Sequence, residues 1–192
     1  QHRPDPDTPV EETAGALGEQ IQAGKIRHYG LSEVGPELVR RAHMTYPLTA
    51  VQSEYSLWTR ENVEELLLSV LRELGIGTVA YSPLGRGFLT ATVDLSTLGE
   101  RDFRRRNPRF SGEAGQKNLA IVDAVREVAD AKGVAPAQVA LAWVYAQQER
   151  LGVNLAPIPG TKRVKWLEQN VAALDVTLTP GELTILDPLA TQ

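Results

Sequence analysis

The chain has 192 residues, 42% of them hydrophobic and 23% charged, with a formal net charge of −4, a balance that suits one globular domain and disfavours a nucleic-acid backbone or an anionic membrane as partner. It contains no Cys and only three His, which excludes disulfides, thiolate catalysis and Cys-based metal sites and leaves little for a His-based one. No apolar run reaches the about 18 residues of a membrane span and no signal peptide opens the chain, so a cytoplasmic location is the expectation.

In chain order, Thr8-Pro9-Val10-Glu11 predicts a helix start with Thr8 as N-cap and Pro9 at the first helical position. Val10, Ala14, Leu17 and Ile21 then fall on one face, and Gly24 closes the helix. Short strands are expected over 27–31, 49–53, 78–81 and 154–158. Thr59 is expected to open a helix with Leu66, Leu67, Val70, Leu71 and Leu74 inward, ended by Gly75. A helix over about 118–132 stops at Gly133, and another from Pro136 carries Val139, Ala140, Trp143 and Val144. An amphipathic stretch from Arg163 holds Val164, Leu167, Val171 and Leu174, and Thr179-Pro180-Gly181-Glu182 repeats the N-cap grammar before Leu183 and Leu186.

Brief apolar strands separated by helices are the pattern of parallel βαβ units. A closed (β/α)8 barrel needs about 250 residues and eight such units; four units fit either a small open α/β sheet or half a barrel. Residues 85–116 break the rhythm with a long polar loop that includes Arg101, Arg104, Arg105, Arg106 and Arg109, either a solvated surface loop or a flap over an anionic ligand.

Ligands of parallel α/β folds sit beyond the carboxyl ends of the strands, which directs attention to the residues following each one. Two strands lead into glycine-bearing turns with hydroxyls and a cation: Tyr81-Ser82-Pro83-Leu84-Gly85-Arg86-Gly87 and Ile158-Pro159-Gly160-Thr161-Lys162-Arg163. Glycine admits a ligand close to the backbone, exposed N–H groups favour phosphate, and Arg163 can fork onto a phosphate monoester; the alternative is ordinary turns with solvated cations. Gln52, inside an apolar strand, needs either an internal backbone partner or a ligand. Tyr81 is either rim packing or a stacking platform. His28 and His43 lack an acidic or metal-binding neighbour and are read as structural.

The turn sequences resemble those of the second half of an aldo-keto reductase, most of all the branch that includes perakine reductase and the auxin-induced plant reductases. The matching stretches are His2-Arg3-Pro4-Asp5, Gly24-Lys25-Ile26-Arg27-His28-Tyr29-Gly30-Leu31-Ser32, Val51-Gln52-Ser53-Glu54-Tyr55-Ser56-Leu57, Ala80-Tyr81-Ser82-Pro83-Leu84-Gly85-Arg86-Gly87-Phe88-Leu89, and Ile158-Pro159-Gly160-Thr161-Lys162-Arg163 followed by Leu167-Glu168-Gln169-Asn170. They occur in family order and spacing along essentially the whole chain. The resemblance implies a single partial domain over 1–192. Its fold would be α/β, the second half of a (β/α)8 TIM barrel, about strands five to eight with their helices, and an open half-barrel as given.

The resemblance further implies binding of NADP(H) and reduction of a small carbonyl substrate, an aldehyde or ketone, by hydride transfer. By it, His2 is catalytic and orients the substrate carbonyl, Ser32 and Gln52 bind the nicotinamide carboxamide, and Tyr81 stacks on the nicotinamide. Ser82, Leu84 and Arg86 wrap the pyrophosphate, Gly160, Thr161 and Arg163 form the 2′-phosphate site, and Gln169 with Asn170 contacts adenine. Glu33 stands where many members have Asn; an anionic Glu accepts from the carboxamide NH2 but cannot donate to its oxygen. The family's Asp, proton-donating Tyr and Lys precede the position of His2, so this segment is expected to hold cofactor contacts without the general acid and to be inactive alone. The alternatives are a non-catalytic NADP(H)-binding module or sensor subunit, and a small doubly wound binder of phosphate esters. Nothing in the sequence fixes an oligomeric state.

Overall fold

Four short runs, β1 (Gly30–Ser32), β2 (Ala50–Glu54), β3 (Gly77–Tyr81) and β4 (Leu155–Ile158), pair in parallel in the order β1-β2-β3-β4 in the computed structural model, which describes residues 1–93 and 97–189. Residues 94–96 of the expected polar loop and 190–192 of the expected domain lie outside the described residues. The sheet is the expected α/β arrangement, with strand bounds within three residues of those read from the sequence. Its sequential order has no reversal, which a doubly wound sheet requires at its switch point. That topology corrects the phosphate-ester alternative and matches consecutive strands of a barrel.

The chain forms two compact units: Gln1–Tyr55, Arg60–Tyr81 and Gln147–Ile158 in the first, and Ser56–Thr59, Ser82–Ala146 and Pro159–Gln192 in the second.

The first unit holds the whole sheet with α1 (Val10–Gln22), α2 (Pro36–Thr45) and α3 (Leu68–Leu74). Register pairs Leu31 with Val51, Val51 with Thr78 and Thr78 with Leu155; Ser32 pairs with Gln52, and Gln52 with Val79. Side chains alternate across a strand, so Leu31, Val51, Thr78 and Ala80 turn to a buried face while Gln52, Val79 and Tyr81 on the other are half-buried. Tyr29 donates from its hydroxyl to the carbonyl of Tyr46 at 2.7 Å, and burial pushes this phenol up to about 12. Gly18 on α1 leaves room for the Tyr46 ring, which a Cβ would strike.

Two helix details differ from expectation. Thr8 does not cap α1, because its hydroxyl donates to Asp5 Oδ2 at 3.1 Å; Pro9 is the N-cap, without a side-chain bond. The helix expected from Thr59 opens with a π-helical turn, Asn62–Leu67, before α3. The wider turn rotates the stripe, so Val63, Leu67, Val70 and Leu71 are buried while Leu66, expected inward, is 55% exposed. Gly75 ends α3 in the left-handed conformation as expected.

The second unit is built on an aromatic cluster and helices α4 (Gly112–Lys132), α6 (Val164–Val171) and α7 (Pro180–Leu186), with the first turns of α5 (Pro136–Leu151). Trp58 stacks on Phe88 at 4.7 Å, and Phe110 sets its edge against both rings. The stretch expected as one polar loop over 85–116 instead forms 3₁₀ turns at Gly85–Thr90, Phe103–Arg106 and Pro108–Phe110 and the start of α4. α4 begins at Gly112, ahead of the expected 118. Its first turns are polar, held by a Glu113–Lys117 pair and by Asn118 donating to the Arg109 carbonyl, and so carry no apolar period. The Thr179–Glu182 capping box is present in both directions. The apolar residues of the stretch from Arg163 face outward, Val164 at 70% and Leu167 at 54% exposed, while Asn170 and Ala173 are buried. No helix among the described residues is long and apolar enough to cross a membrane.

Candidate functional site

Parallel strands deliver side chains of equal register to one face, and the half-buried face of the first unit collects three of the expected residues. His2, Ser32 and Gln52 line a cavity of about 330 Å³ with Gly30, Ala50 and Val79. The backbone nitrogen of Gln1, beside His2, lies 2.9 Å from the Gly30 carbonyl oxygen. Gly30 is required, since a Cβ would meet the Ala50 carbonyl oxygen at 2.9 Å. Among the described residues, neither the Ser32 hydroxyl nor the Gln52 side-chain amide makes a hydrogen bond within the protein. The internal partner open to Gln52 from sequence is therefore absent. A half-buried amide and the hydroxyl of a buried serine, facing one cavity without a described protein partner, are donors and acceptors available to a ligand. Among the described residues, His2 is the one titratable side chain lining it. Tyr81 continues the same face at the carboxyl end of β3.

The Glu33 carboxylate is engaged within the sheet. Its backbone is left-handed (φ 54), a conformation that costs about 1–2 kcal/mol outside glycine. That turn sends the carboxylate onto the end of β2, where Oε1 accepts from the Ser53 hydroxyl at 3.2 Å and from the Glu54 N–H at 3.1 Å. These partners lie about twenty positions away, so no local pattern signals them.

In the second unit, Ser82, Leu84 and Arg86 share a turn dense in left-handed backbone: φ is 51 at Ser82, 56 at Gly85, 58 at Arg86, 91 at Gly87 and 57 at Ala91. Such strain gathers at functional segments. Arg86 lies over the Phe103 ring at 5.1 Å, and its carbonyl accepts from Arg104, whose guanidinium is also forked onto Asp102. Those bonds hold the Asp102 carboxyl below its usual range. Arg109 lies over Trp58 at 4.5 Å and donates to the Thr59 hydroxyl. Two of the five arginines of the expected polar loop thus fix the segment itself, which the charge run did not reveal; Arg101, Arg105 and Arg106 are exposed.

Gly160, Thr161 and Arg163 form the exposed turn between β4 and α6, with the Arg163 N–H donating to the Thr161 hydroxyl at 3.2 Å. The Arg163 guanidinium and the side-chain amides of half-buried Gln169 and buried Asn170 make no hydrogen bond within the described residues. His28 and His43 are occupied locally, His28 with the Thr49 hydroxyl and His43 with the Leu48 N–H.

Residues 1–190 match the model of the Aldo/keto reductase family. The chain belongs to this family. It is 44% identical over 183 residues to "Probable aldo-keto reductase 1" from Glycine max, a match that covers 95% of the chain and 51% of the relative. Among solved structures it superposes on the glycerol dehydrogenase from Gluconobacter oxydans with a TM-score of 0.88 at 27% identity, covering 98% of the chain and 56% of that structure. It also superposes on a thermostable aldo-keto reductase crystallised with the inhibitor epalrestat, with a TM-score of 0.71 at 28% identity, covering 98% and 57%. The chain spans about half the length of the relatives it matches. The four parallel strands are the aldo-keto reductase barrel's fold over that length.

Proposed function

We propose that this chain provides the NADP(H)-binding part of an aldo-keto reductase acting on small aldehydes or ketones. The observation that carries the proposal is the pair Ser32 and Gln52, register partners whose polar side chains are unsatisfied and open to the cavity that also holds His2. A carboxamide offers one acceptor oxygen and two N–H donors. The Gln52 amide and Ser32 hydroxyl are complementary to it, so this donor set fits the nicotinamide end. Ser82, Leu84 and Arg86 suit a pyrophosphate through strained backbone and a cation. The unpaired Arg163, with Thr161 and Gly160, suits a 2′-phosphate, and Gln169 with Asn170 suits adenine. Lys162 and Arg163 favour NADPH over NADH.

When bound, the reduced cofactor supplies a hydride to a carbonyl carbon. The chain's own residues orient: Ser32 and Gln52 fix the carboxamide, Tyr81 covers the ring, and His2 donates a hydrogen bond to the substrate oxygen. Orientation of this kind supplies much of a rate enhancement. The protonation step is worth about 10²–10⁴ in rate, and the cavity offers no side chain for it besides His2. These 192 residues by themselves are therefore read as a cofactor-binding body with little turnover, which keeps the binding-module alternative for the isolated chain. Titrating the isolated chain with NADPH, then adding an aromatic aldehyde, tests both parts. Binding with slow or no oxidation of NADPH is expected; absence of binding defeats the proposal, and turnover at ordinary enzyme rates defeats the inactivity.

A further inference from the structure

We propose that Glu33 is a positioning residue that holds His2, Ser32 and Gln52 in mutual alignment, an inference that rests on the cofactor reading of their cavity. Each of the three is covalently next to a group that Glu33 holds, or next to Glu33 itself. Ser32 immediately precedes it. The Glu33 N–H donates to the Gln52 carbonyl at 2.9 Å, extending the β1–β2 ladder by one bond. Oε1 takes both the Ser53 hydroxyl and the Glu54 N–H, clamping β2 just beyond Gln52. Oε2 lies 3.7 Å from Nη1 of Arg3, the neighbour of His2.

Ladder bonds run out at the carboxyl ends of strands, where the backbone opens most readily, and the ligand-facing residues stand at that end. The carboxylate closes it. Ser53 is buried, so its hydroxyl has no solvent substitute for Oε1. The Arg3 side chain is 51% exposed, so that contact contributes the least. Glu33 touches no ligand in this scheme; it acts through the residues that do.

The test is isothermal titration of the full chain with NADP⁺ and with 2′,5′-ADP, which has the adenosine and 2′-phosphate but no nicotinamide. Glu33→Ala is expected to weaken NADP⁺ about ten-fold or more while leaving 2′,5′-ADP within about two-fold; Glu33→Gln, which keeps an acceptor oxygen for Ser53 and Glu54, restores most of the loss. Ser53→Ala, should Glu33→Ala not fold, is expected to produce a smaller loss of about three-fold, again for NADP⁺ alone. Equal losses for both ligands mean a merely structural role and overturn the proposal, as does no loss in either variant. A wild-type chain that binds neither ligand overturns the cofactor reading and this inference with it. Wild-type binding of both, with unselective variants, overturns the positioning role alone.

Discussion

Ser32 on β1 and Gln52 on β2 are register partners on one face of the sheet, and neither side chain finds a hydrogen-bond partner among the described residues. Unsatisfied polar groups are carried at a cost, and a ligand that pairs with them recovers it. Gln52→Leu is thus expected to leave unfolding free energy unchanged or raise it by about 1 kcal/mol, while NADP⁺ affinity drops. Urea unfolding and calorimetric titration of the same samples check the pair; a loss of stability would mean that Gln52 has an internal role.

Arg163 is expected to separate the two nicotinamide cofactors. Its guanidinium has no hydrogen-bond partner among the described residues, and a charge-assisted contact with a 2′-phosphate is worth about 1.5–3 kcal/mol, or about 10- to 150-fold. Arg163→Ala is expected to weaken NADPH by that factor and NADH hardly at all. Equal loss for both would remove the 2′-phosphate from its neighbourhood.

The features legible in the sequence were those with local causes. Gly75 and Gly133 end helices because a left-handed residue is needed there, and Thr179 with Glu182 forms its box within four residues. The strands were legible as apolar runs between helices, whereas the candidate site residues rest on the resemblance their turns carry. What escaped depends on neighbours far along the chain or on non-standard helix geometry. Leu66 faces out because a π turn shifts the phase of an otherwise regular stripe. Thr8 caps nothing because Asp5 holds its hydroxyl. The period through Val164, Leu167, Val171 and Leu174 shows an amphipathic face but not what it faces. The position of Glu33 leaves its part in a carboxamide contact open, and only the fold shows its carboxylate turned to Ser53 and Glu54.

The capping box carries a pH dependence. The Glu182 carboxyl is lowered from 4.5, chiefly by the Thr179 N–H it accepts and further by Lys132. A carboxyl lowered by folding contributes stability that is full above its unfolded value and is lost as pH falls through the folded one. Glu182→Gln, which still accepts from Thr179, is expected to flatten the stability-versus-pH curve below about 4.5 without abolishing the cap. Thr179→Ala is expected to cost about 1 kcal/mol near neutrality. Thermal melts of both variants between pH 3 and pH 7 check the assignment.

Two glycines separate folding from binding. Gly85 has φ +56, and a Cβ there would lie 3.0 Å from Trp58 Cε3 and 3.2 Å from Leu89 Cγ, inside the aromatic cluster. Gly85→Ala combines backbone strain with overpacking and is expected to destabilise by about 2–4 kcal/mol. Gly160, by contrast, has no atom within 4 Å of a built Cβ and no positive φ. Gly160→Ala is expected to change stability by no more than about 0.5 kcal/mol. Its effect should instead appear in binding, because a methyl group there keeps a phosphate from approaching the turn that leads to Arg163. NADP⁺ and 2′,5′-ADP should then weaken together in Gly160→Ala, since both carry the 2′-phosphate. A variant of unchanged stability that binds both as tightly as the wild type would show that nothing approaches the Gly160 backbone.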